Sequence, residues 1–523
     1  MKLASGEAAA PEPASDERGS SGRAAGVLLH PTCLPGPWGA GDFGPPAEAF
    51  LRWAESAGLG LWQVLPLHPP ARGRSPYTAF SAFALDPLFI SPERLVADGL
   101  LIPEDLPAPL ERPSRCDFEA ARRLKLPLLK RAFKNFRSGR HPGLERALED
   151  FAGHPLRRGW LEDWCLFAAL KERRGGERWT AWEEGLRRRR PEALRRAREE
   201  FRDAVAFEKF LQLMAHRHWR ALRDAAASRG VEILGDLPIY VAHESAEVWT
   251  HARLFELDEA GQPTAVAGVP PDYFSADGQL WGNPLYRWDA LEKEGFGWWI
   301  DRLRAQLDLA DLVRLDHFRA FADYWRVPAG AETARDGDWR SGPGRALFRA
   351  FEKSLGSPLP VIAEDLGDLS NAAHALRRKT DLPGMRVLHF AFETPHSEHA
   401  PHRLEPETLL YTATHDNDTS LGWFRGLPQG KRSRVLAYAG CEAEGIHRGL
   451  IRLALTSVAR WAVFPLQDVL GLGREARFNT PGVAGGESWR WRCPELPGEK
   501  EARWLRGLIE ATGRLPPAVS EQI

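Results

Sequence analysis

Three acidic residues each close a short apolar run. They are Asp316 in Asp311-Leu-Val-Arg-Leu-Asp-His-Phe-Arg, Glu364 in Leu359-Pro-Val-Ile-Ala-Glu-Asp-Leu-Gly, and Asp416 in Leu410-Tyr-Thr-Ala-Thr-His-Asp-Asn-Asp-Thr. Carboxyl groups gathered on one face, with no metal-binding spacing around them, suit chemistry on a glycosidic bond. Transfer with retention needs two of them in different protonation states. One attacks as carboxylate; the other gives a proton to the leaving oxygen and later takes one from the acceptor. Asp316 suits the nucleophile, because Arg314, two residues earlier on the same strand, points to the same face and would hold it ionised and oriented. Glu364 follows Pro-Val-Ile-Ala, so partial burial at a strand end would raise its pKa, as a general acid requires. Asp416, beside His415, would bind ring hydroxyls as positive charge develops on the sugar. The competing explanation for any one acid is an N-cap at a strand-to-helix junction. It serves Glu364 badly, because Glu is a poor cap and Asp365 beside it a better one. Three acids together, with Arg314, His317 and His415 attached, favour catalysis.

A strand that ends in a carboxylate, recurring at roughly fifty-residue intervals with helical pattern between, predicts a parallel (β/α)8 TIM barrel, in which strand C-termini converge on the catalytic face. The region expected to be ordered opens with Gly26-Val-Leu-Leu-His, a helical stretch over residues 46–55, and a second apolar run over 61–66. Residues 105–225 read as a mainly helical insertion, with apolar residues at three- and four-residue spacing. Val231-Glu-Ile-Leu-Gly-Asp resumes the barrel, with Asp236 again a closing carboxylate. Residues 241–290, rich in Gly, Pro and aromatics, read as a loop subdomain that covers the site. Trp461-Ala-Val-Phe-Pro-Leu is a last strand, and a final helix is expected near residues 501–512.

The 523 residues suit one decorated barrel, catalytic over 25–523. A formal net charge of −1 gives no electrostatic case for nucleic acid or an anionic membrane, and no apolar run reaches spanning length. Five scattered cysteines without a CxxC spacing argue against structural zinc or a disulfide framework and for a reducing compartment. Residues 1–24, rich in Ala, Pro, Ser, Gly and Glu and without the apolar core of a signal peptide, predict a disordered arm on a cytoplasmic protein. Twenty tryptophans against seven tyrosines mildly favour a carbohydrate ligand, because indole faces stack on sugar rings.

Several motifs go further. Asp236-Leu-Pro-Ile-Tyr-Val, Gly268-Val-Pro-Pro-Asp-Tyr-Phe, Gly282-Asn-Pro-Leu-Tyr, Arg314-Leu-Asp-His-Phe-Arg, Ala363-Glu-Asp-Leu-Gly and Thr414-His-Asp-Asn-Asp-Thr resemble the 4-α-glucanotransferases. These are the amylomaltases or disproportionating enzymes, glycoside hydrolase family 77, kin to the α-amylases. Leu34-Pro-Gly-Pro, Ser75-Pro-Tyr with Ser81-Ala-Phe, and Arg477-Phe-Asn-Thr-Pro-Gly extend the resemblance over nearly all the chain past residue 25. It implies Asp316 as nucleophile, Glu364 as acid/base and Asp416 as transition-state stabiliser, helped by Arg314 and His415. Asp236 matches the family's acid at the third strand. Tyr77, Asp272, Gln279, Trp281 and Asn479 match sugar-contacting positions. The segment 269–274 would overhang the cleft and keep water from the glycosyl-enzyme. The implied substrates are α-1,4-glucans and malto-oligosaccharides, with no cofactor and no metal, on a monomer or weak homo-oligomer.

Departures from the family pattern fall at His243-Glu244-Ser245, at Trp38 and at Leu85-Asp86-Pro87, and none touches the three acids. Gly39-Ala-Gly-Asp-Phe-Gly matches a dinucleotide fingerprint but opens on proline-rich loop rather than directly after a strand. His396, His399 and His402 lie among prolines that break regular helix, so a polar surface loop is expected there rather than a metal site. Arg187 to Arg190 read as a solvated helix face. The main rival is an α-amylase-like hydrolase with the same acids and water as acceptor; an inactive glucan-binding scaffold is disfavoured because all three acids and Arg314 are present.

Overall fold

The computed structural model describes residues 22–71, 74–110, 114–271, 276–367, 370–482 and 486–517. Most of the arm expected over residues 1–24 lies outside these. Its last residues are ordered: Arg23 donates to the carbonyl of Thr512 (3.1 Å) and Ala24 begins the first strand.

Twelve strands are present among the described residues: β1 (Ala24–Leu28), β2 (Leu61–Gln63), β3 (Glu232–Leu237), β4 (Ala265–Val269), β5 (Gln279–Pro284), β6 (Leu312–Leu315), β7 (Asp323–Pro328), β8 (Asp338–Ser341), β9 (Val361–Ala363), β10 (Gly384–Val387), β11 (Thr408–Tyr411) and β12 (Trp461–Pro465). Eight of them form a parallel sheet in the order β10-β11-β12-β1-β2-β3-β6-β9, each beside its neighbour in the barrel sequence, with helices on the outside. This is the predicted α/β TIM barrel. The sheet nearly closes between β9 and β10. There, Ala363 donates to Pro383 O (2.8 Å), and the buried Asp365 carboxylate accepts the Met385 amide (2.8 Å) in place of a ladder bond.

The alternation of strand side chains explains how the barrel makes a site. Leu61, Leu234, Leu312, Ile362, Met385, Leu409, Trp461 and Val463 point inward and fill the interior. Gly26 belongs to this layer because nothing larger fits: a Cβ there would lie 2.9 Å from Leu61 Cβ and 3.0 Å from Val463 Cγ2. Two residues further along the same strands, the same inward parity delivers Gln63, Asp236, Arg314 and Glu364, and two beyond Arg314, Asp316. The apolar plug thus gives way to a polar layer at the strand C-termini.

Between β2 and β3 the chain runs through a helical segment whose longest members are Phe118–Phe136, Leu161–Arg173 and Arg202–Ala227. Asp117 caps the first of these by accepting the Ala120 amide (2.8 Å). Its Lys125, buried with Asp42, meets that carboxylate at 2.5 Å and donates to Leu88 O at 2.7 Å. The glycine-rich motif at residues 39–44 is therefore a structural pin between insertion and barrel. Residues 241–290 are more than loop. They contain the helix Ala246–Thr250 and the strands β4 and β5, which join β7 and β8 in an antiparallel sheet of order β5-β4-β7-β8. No helix among the described residues is long and apolar enough to cross a membrane.

Candidate active site

Arg314 is the centre of the polar layer. Its Nη1 donates to both oxygens of Asp236 (2.9 Å each) and lies 2.9 Å from Asp316 Oδ1. Asp236 is 1 % exposed and Arg314 5 %, so this is a desolvated ion pair, whereas Asp316 extends into the open cleft. Burial alone would lower the Arg314 pKa, but the Asp236 and Asp316 carboxylates outweigh it and hold the guanidinium well above its ordinary value. Tyr77 OH donates to Asp236 Oδ2 at 2.6 Å. Asp236 thereby fixes Tyr77 and Arg314 together, and Arg314 fixes Asp316.

Glu364 follows β9 and is half-buried. Its Oε2 accepts the His317 amide (2.8 Å) and its Oε1 the Leu366 amide (3.0 Å). His317 itself has φ +50°, in the left-handed region, so the chain turns away directly after the amide that donates this bond. Burial raises the Glu364 pKa to about 8; Arg314 opposes this, Asp316 adds to it, and the two backbone amides oppose it again. Desolvation wins, so this carboxyl holds its proton far above the usual carboxylate range.

Asp416 leaves the barrel after β11. Asn479 Nδ2 donates to its Oδ1 at 2.6 Å, His415 Nε2 lies 3.4 Å from its Oδ2, and Arg477 donates to its backbone carbonyl at 2.8 Å. His415 is buried and stacks on Tyr77, with ring centres 5.1 Å apart and planes 14° apart. Across the mouth, Trp281 meets the His317 ring edge to face at 4.9 Å and donates to Gln279 Oε1 at 3.1 Å. Asp272 lies outside the described residues, as does the part of the 269–274 segment beyond Pro271. The other ten expected residues (Asp316, Glu364, Asp416, Tyr77, Asp236, Gln279, Trp281, Arg314, His415 and Asn479) are linked into one mouth through these contacts.

Two neighbours had no signal in the sequence. Trp489 packs beside Tyr77 (5.8 Å) and His415 (5.9 Å), delivered by a segment far beyond the last strand. His30, buried under His415, has its pKa pushed down to about 3 by burial and then by that neighbour, so it is neutral. Asp365 is no helix cap: it pairs with Arg386 (3.0 Å) and Arg377 (3.1 Å) at the barrel seam. The arginine run is only partly solvated, because Arg189 stacks over Trp249 at 4.4 Å and pairs with Asp163. His399 Nδ1 accepts the Val387 amide (3.1 Å) and His402 meets Tyr438 OH (2.9 Å). Ser245, among the departures, caps the helix Ala246–Thr250, while Glu244 pairs with Lys171 (3.0 Å).

The family model described as 4-alpha-glucanotransferase, glycoside hydrolase family 77, matches residues 29–497. A 4-alpha-glucanotransferase of Thermus thermophilus is 48 % identical over 509 residues, covering 94 % of this chain and 99 % of the relative. One from Synechocystis is 45 % identical over 476 residues, covering 90 % and 94 %. Among solved structures, an amylomaltase from Streptococcus agalactiae in complex with acarbose superposes with a TM-score of 0.89 at 34 % identity, covering 94 % of this chain and 99 % of that one.

Proposed function

The chain belongs to the 4-alpha-glucanotransferases of glycoside hydrolase family 77, and from that premise we propose that Asp316, Glu364 and Asp416 carry out the transfer by double displacement. The enzyme moves α-1,4-glucan segments from a donor malto-oligosaccharide or starch chain to the 4-hydroxyl of an acceptor glucan or glucose.

The observation that carries the mechanism is the contrast between two carboxyls: Asp316 lies 2.9 Å from the Arg314 guanidinium, while Glu364 keeps its proton to about pH 8. With Oδ1 engaged by Arg314, Asp316 attacks the anomeric carbon through Oδ2 and forms the glycosyl-enzyme. Glu364 protonates the departing glycosidic oxygen, then takes the proton of the incoming 4-hydroxyl as the acceptor resolves the intermediate. Asp416, oriented by Asn479 and His415, accepts sugar hydroxyls most strongly when the ring carries positive charge. Tyr77 and His415 form the floor beneath the reacting ring, and Gln279 and Trp281 contact the sugar from the β4–β5 side; Asp272 is given a sugar contact by its match to the family motif alone. That hairpin limits water, so a sugar hydroxyl resolves the intermediate.

The catalytic unit on this reading is the barrel over residues 25–523, with 105–225 as helical insertion and 241–290 as cover of the site. The five cysteines are free thiols, four of them buried, which fits a cytoplasmic setting, and the protein acts as a monomer or weak homo-oligomer.

The test is maltotriose alone with the purified protein, the products chromatographed over time. Glucose together with maltopentaose and longer chains, at nearly constant total reducing ends, is expected. Maltose and glucose with rising reducing ends would make water the acceptor and overturn the transferase mechanism.

A further inference from the structure

One buried carboxylate lies outside the catalytic set yet closes the loop that bears part of it. Asp468, 1 % exposed and following β12, accepts the Thr412 hydroxyl on Oδ2 (2.7 Å), the Ser420 hydroxyl on the same oxygen (2.6 Å) and the Ser420 amide on Oδ1 (2.8 Å). Thr412 and Ser420 are the two ends of the loop that carries His415 and Asp416, and both are fully buried. The network extends one step further: His389 Nε2 lies 3.2 Å from Ser420 Oγ, and the His389 ring stacks on Trp423 at 4.3 Å with planes 4° apart. The polarity of this chain follows from counting donors. Asp468 offers only acceptors, so Ser420 spends its single hydroxyl proton there and must receive one from His389 Nε2.

Between these ends the loop is tied outward at two points, Asp416 to Asn479 and Arg477 as described above and Asp418 Oδ2 accepting Arg474 Nε (2.7 Å), while its remaining bonds are local. Asn417 Oδ1 accepts the Thr414 amide and hydroxyl (2.9 Å each), and Asp418 Oδ1 accepts the Thr419 amide (2.9 Å). These set the shape of the loop. Asp468 joins its ends to each other and to the strand beside β11.

We propose that Asp468 is a positioning residue for the transfer reaction. It clasps both ends of the 412–420 loop, so that Asp416 and His415 are held where the reacting sugar presents its hydroxyls. The proposal rests on the role given to Asp416 above. Asp468 touches no substrate; it acts through a loop whose displacement by on the order of 1 Å would cost about a hundredfold in rate.

The test is a cycle of Asp468→Asn and Asp416→Asn, read as kcat and KM for maltotriose, with histidine-selective nitrogen NMR of the resting enzyme. Asp468→Asn is expected to lower kcat about a hundredfold at unchanged KM, because the lost interaction is one made at the transition state. In the Asp416→Asn background it is expected to change nothing further. An equal loss in both backgrounds would overturn the proposal, because Asp468 would then act through general folding. Wild-type turnover by Asp416→Asn alone would instead overturn the role of Asp416, a separate failure. The NMR signature is independent of rate. The wild-type His389 Nε2 is expected protonated; in Asp468→Asn the new carboxamide donates to Ser420, the hydroxyl turns, and Nε2 becomes the bare acceptor. A bare Nε2 in the wild type would overturn the assigned polarity. Ser420→Ala, which keeps the helix and the Asp468 to amide bond, is the milder variant should Asp468→Asn fold poorly. It is expected to lower kcat by a smaller factor at unchanged KM, and wild-type kcat in it would refute the clasp.

Discussion

Replacing Glu364 with Gln separates proton donation from every other contribution of this side chain, provided its two backbone contacts are counted. Both carboxyl oxygens accept an amide, His317 N–H at 2.8 Å and Leu366 N–H at 3.0 Å. A carboxamide has one acceptor, so in Glu364→Gln one of these N–H groups must face an NH2. A half-buried donor left unsatisfied costs about 1–3 kcal/mol. If all of this falls on the transition state, every donor substrate loses about 5- to 150-fold. Loss of the general acid costs a further factor of about 10² to 10⁴, but only for substrates whose leaving oxygen needs a proton. Maltotriose is such a substrate; α-maltosyl fluoride is not. In stopped-flow measurements, fluoride release in the first turnover should therefore fall only by the smaller factor, while maltotriose turnover falls by the product of both. The second step still needs a base, so the variant should stall after one turnover as a glycosyl-enzyme, visible by mass spectrometry as one maltosyl group on Asp316. Equal losses on the two donors in the first turnover, or no covalent adduct, would refute the acid/base role and the reasoning behind it.

Further consequences can be measured directly. Because the acid must be protonated in the free enzyme, kcat/KM for maltotriose should fall as pH rises through about 8, the value to which burial lifts Glu364; an alkaline limb in the ordinary carboxylate range would contradict that environment. Asn479→Ala removes a 2.6 Å bond to Asp416 and should reduce kcat by about 10- to 150-fold, the worth of a hydrogen bond to a charged group, with less effect on KM; steady-state kinetics showing the reverse split would argue that Asn479 serves ground-state binding. Lys125→Met leaves Asp42 buried without its cation and should destabilise the fold by about 3–5 kcal/mol in urea unfolding while leaving the catalytic constants of the folded enzyme unchanged.

The catalytic face was legible because the barrel exposes strand ends, and strand ends announce themselves as apolar runs stopped by a polar residue. Asp236, Asp316, Glu364 and Asp416 all follow that pattern, and the parity of Arg314 with Asp316 correctly joined them. The strand β10 was not legible. Gly384-Met-Arg-Val is four residues long, carries Arg386 midway, ends in no carboxylate and runs on into Leu-His-Phe-Ala-Phe. Arg386 is there for the seam, where Asp365 receives it, and a contact between two strands leaves no periodic trace in either. The β5-β4-β7-β8 sheet was hidden for a related reason: its strands are separated by β6, so the pairing exists only once the barrel does. Trp489 reaches the mouth by tertiary placement alone, and the left-handed turn at His317, which histidine tolerates better than most residues, leaves no pattern in the sequence that would single it out.

The pairing within that small sheet decides where the chain can change in length. Gln279 and Trp281 face the mouth, whereas Leu280 between them is exposed on the opposite side. Losing or gaining one residue between Gln279 and Trp281, ahead of the bulge that follows Leu280, would exchange the two faces, sending the indole to solvent and an aliphatic chain toward the mouth. Changes of length between Val269 and Gln279 carry no such penalty, because the pairing of Val269 with Gln279 lies below them. Length can therefore change beyond the Val269–Gln279 pair while the strand that presents Trp281 to the mouth keeps its register.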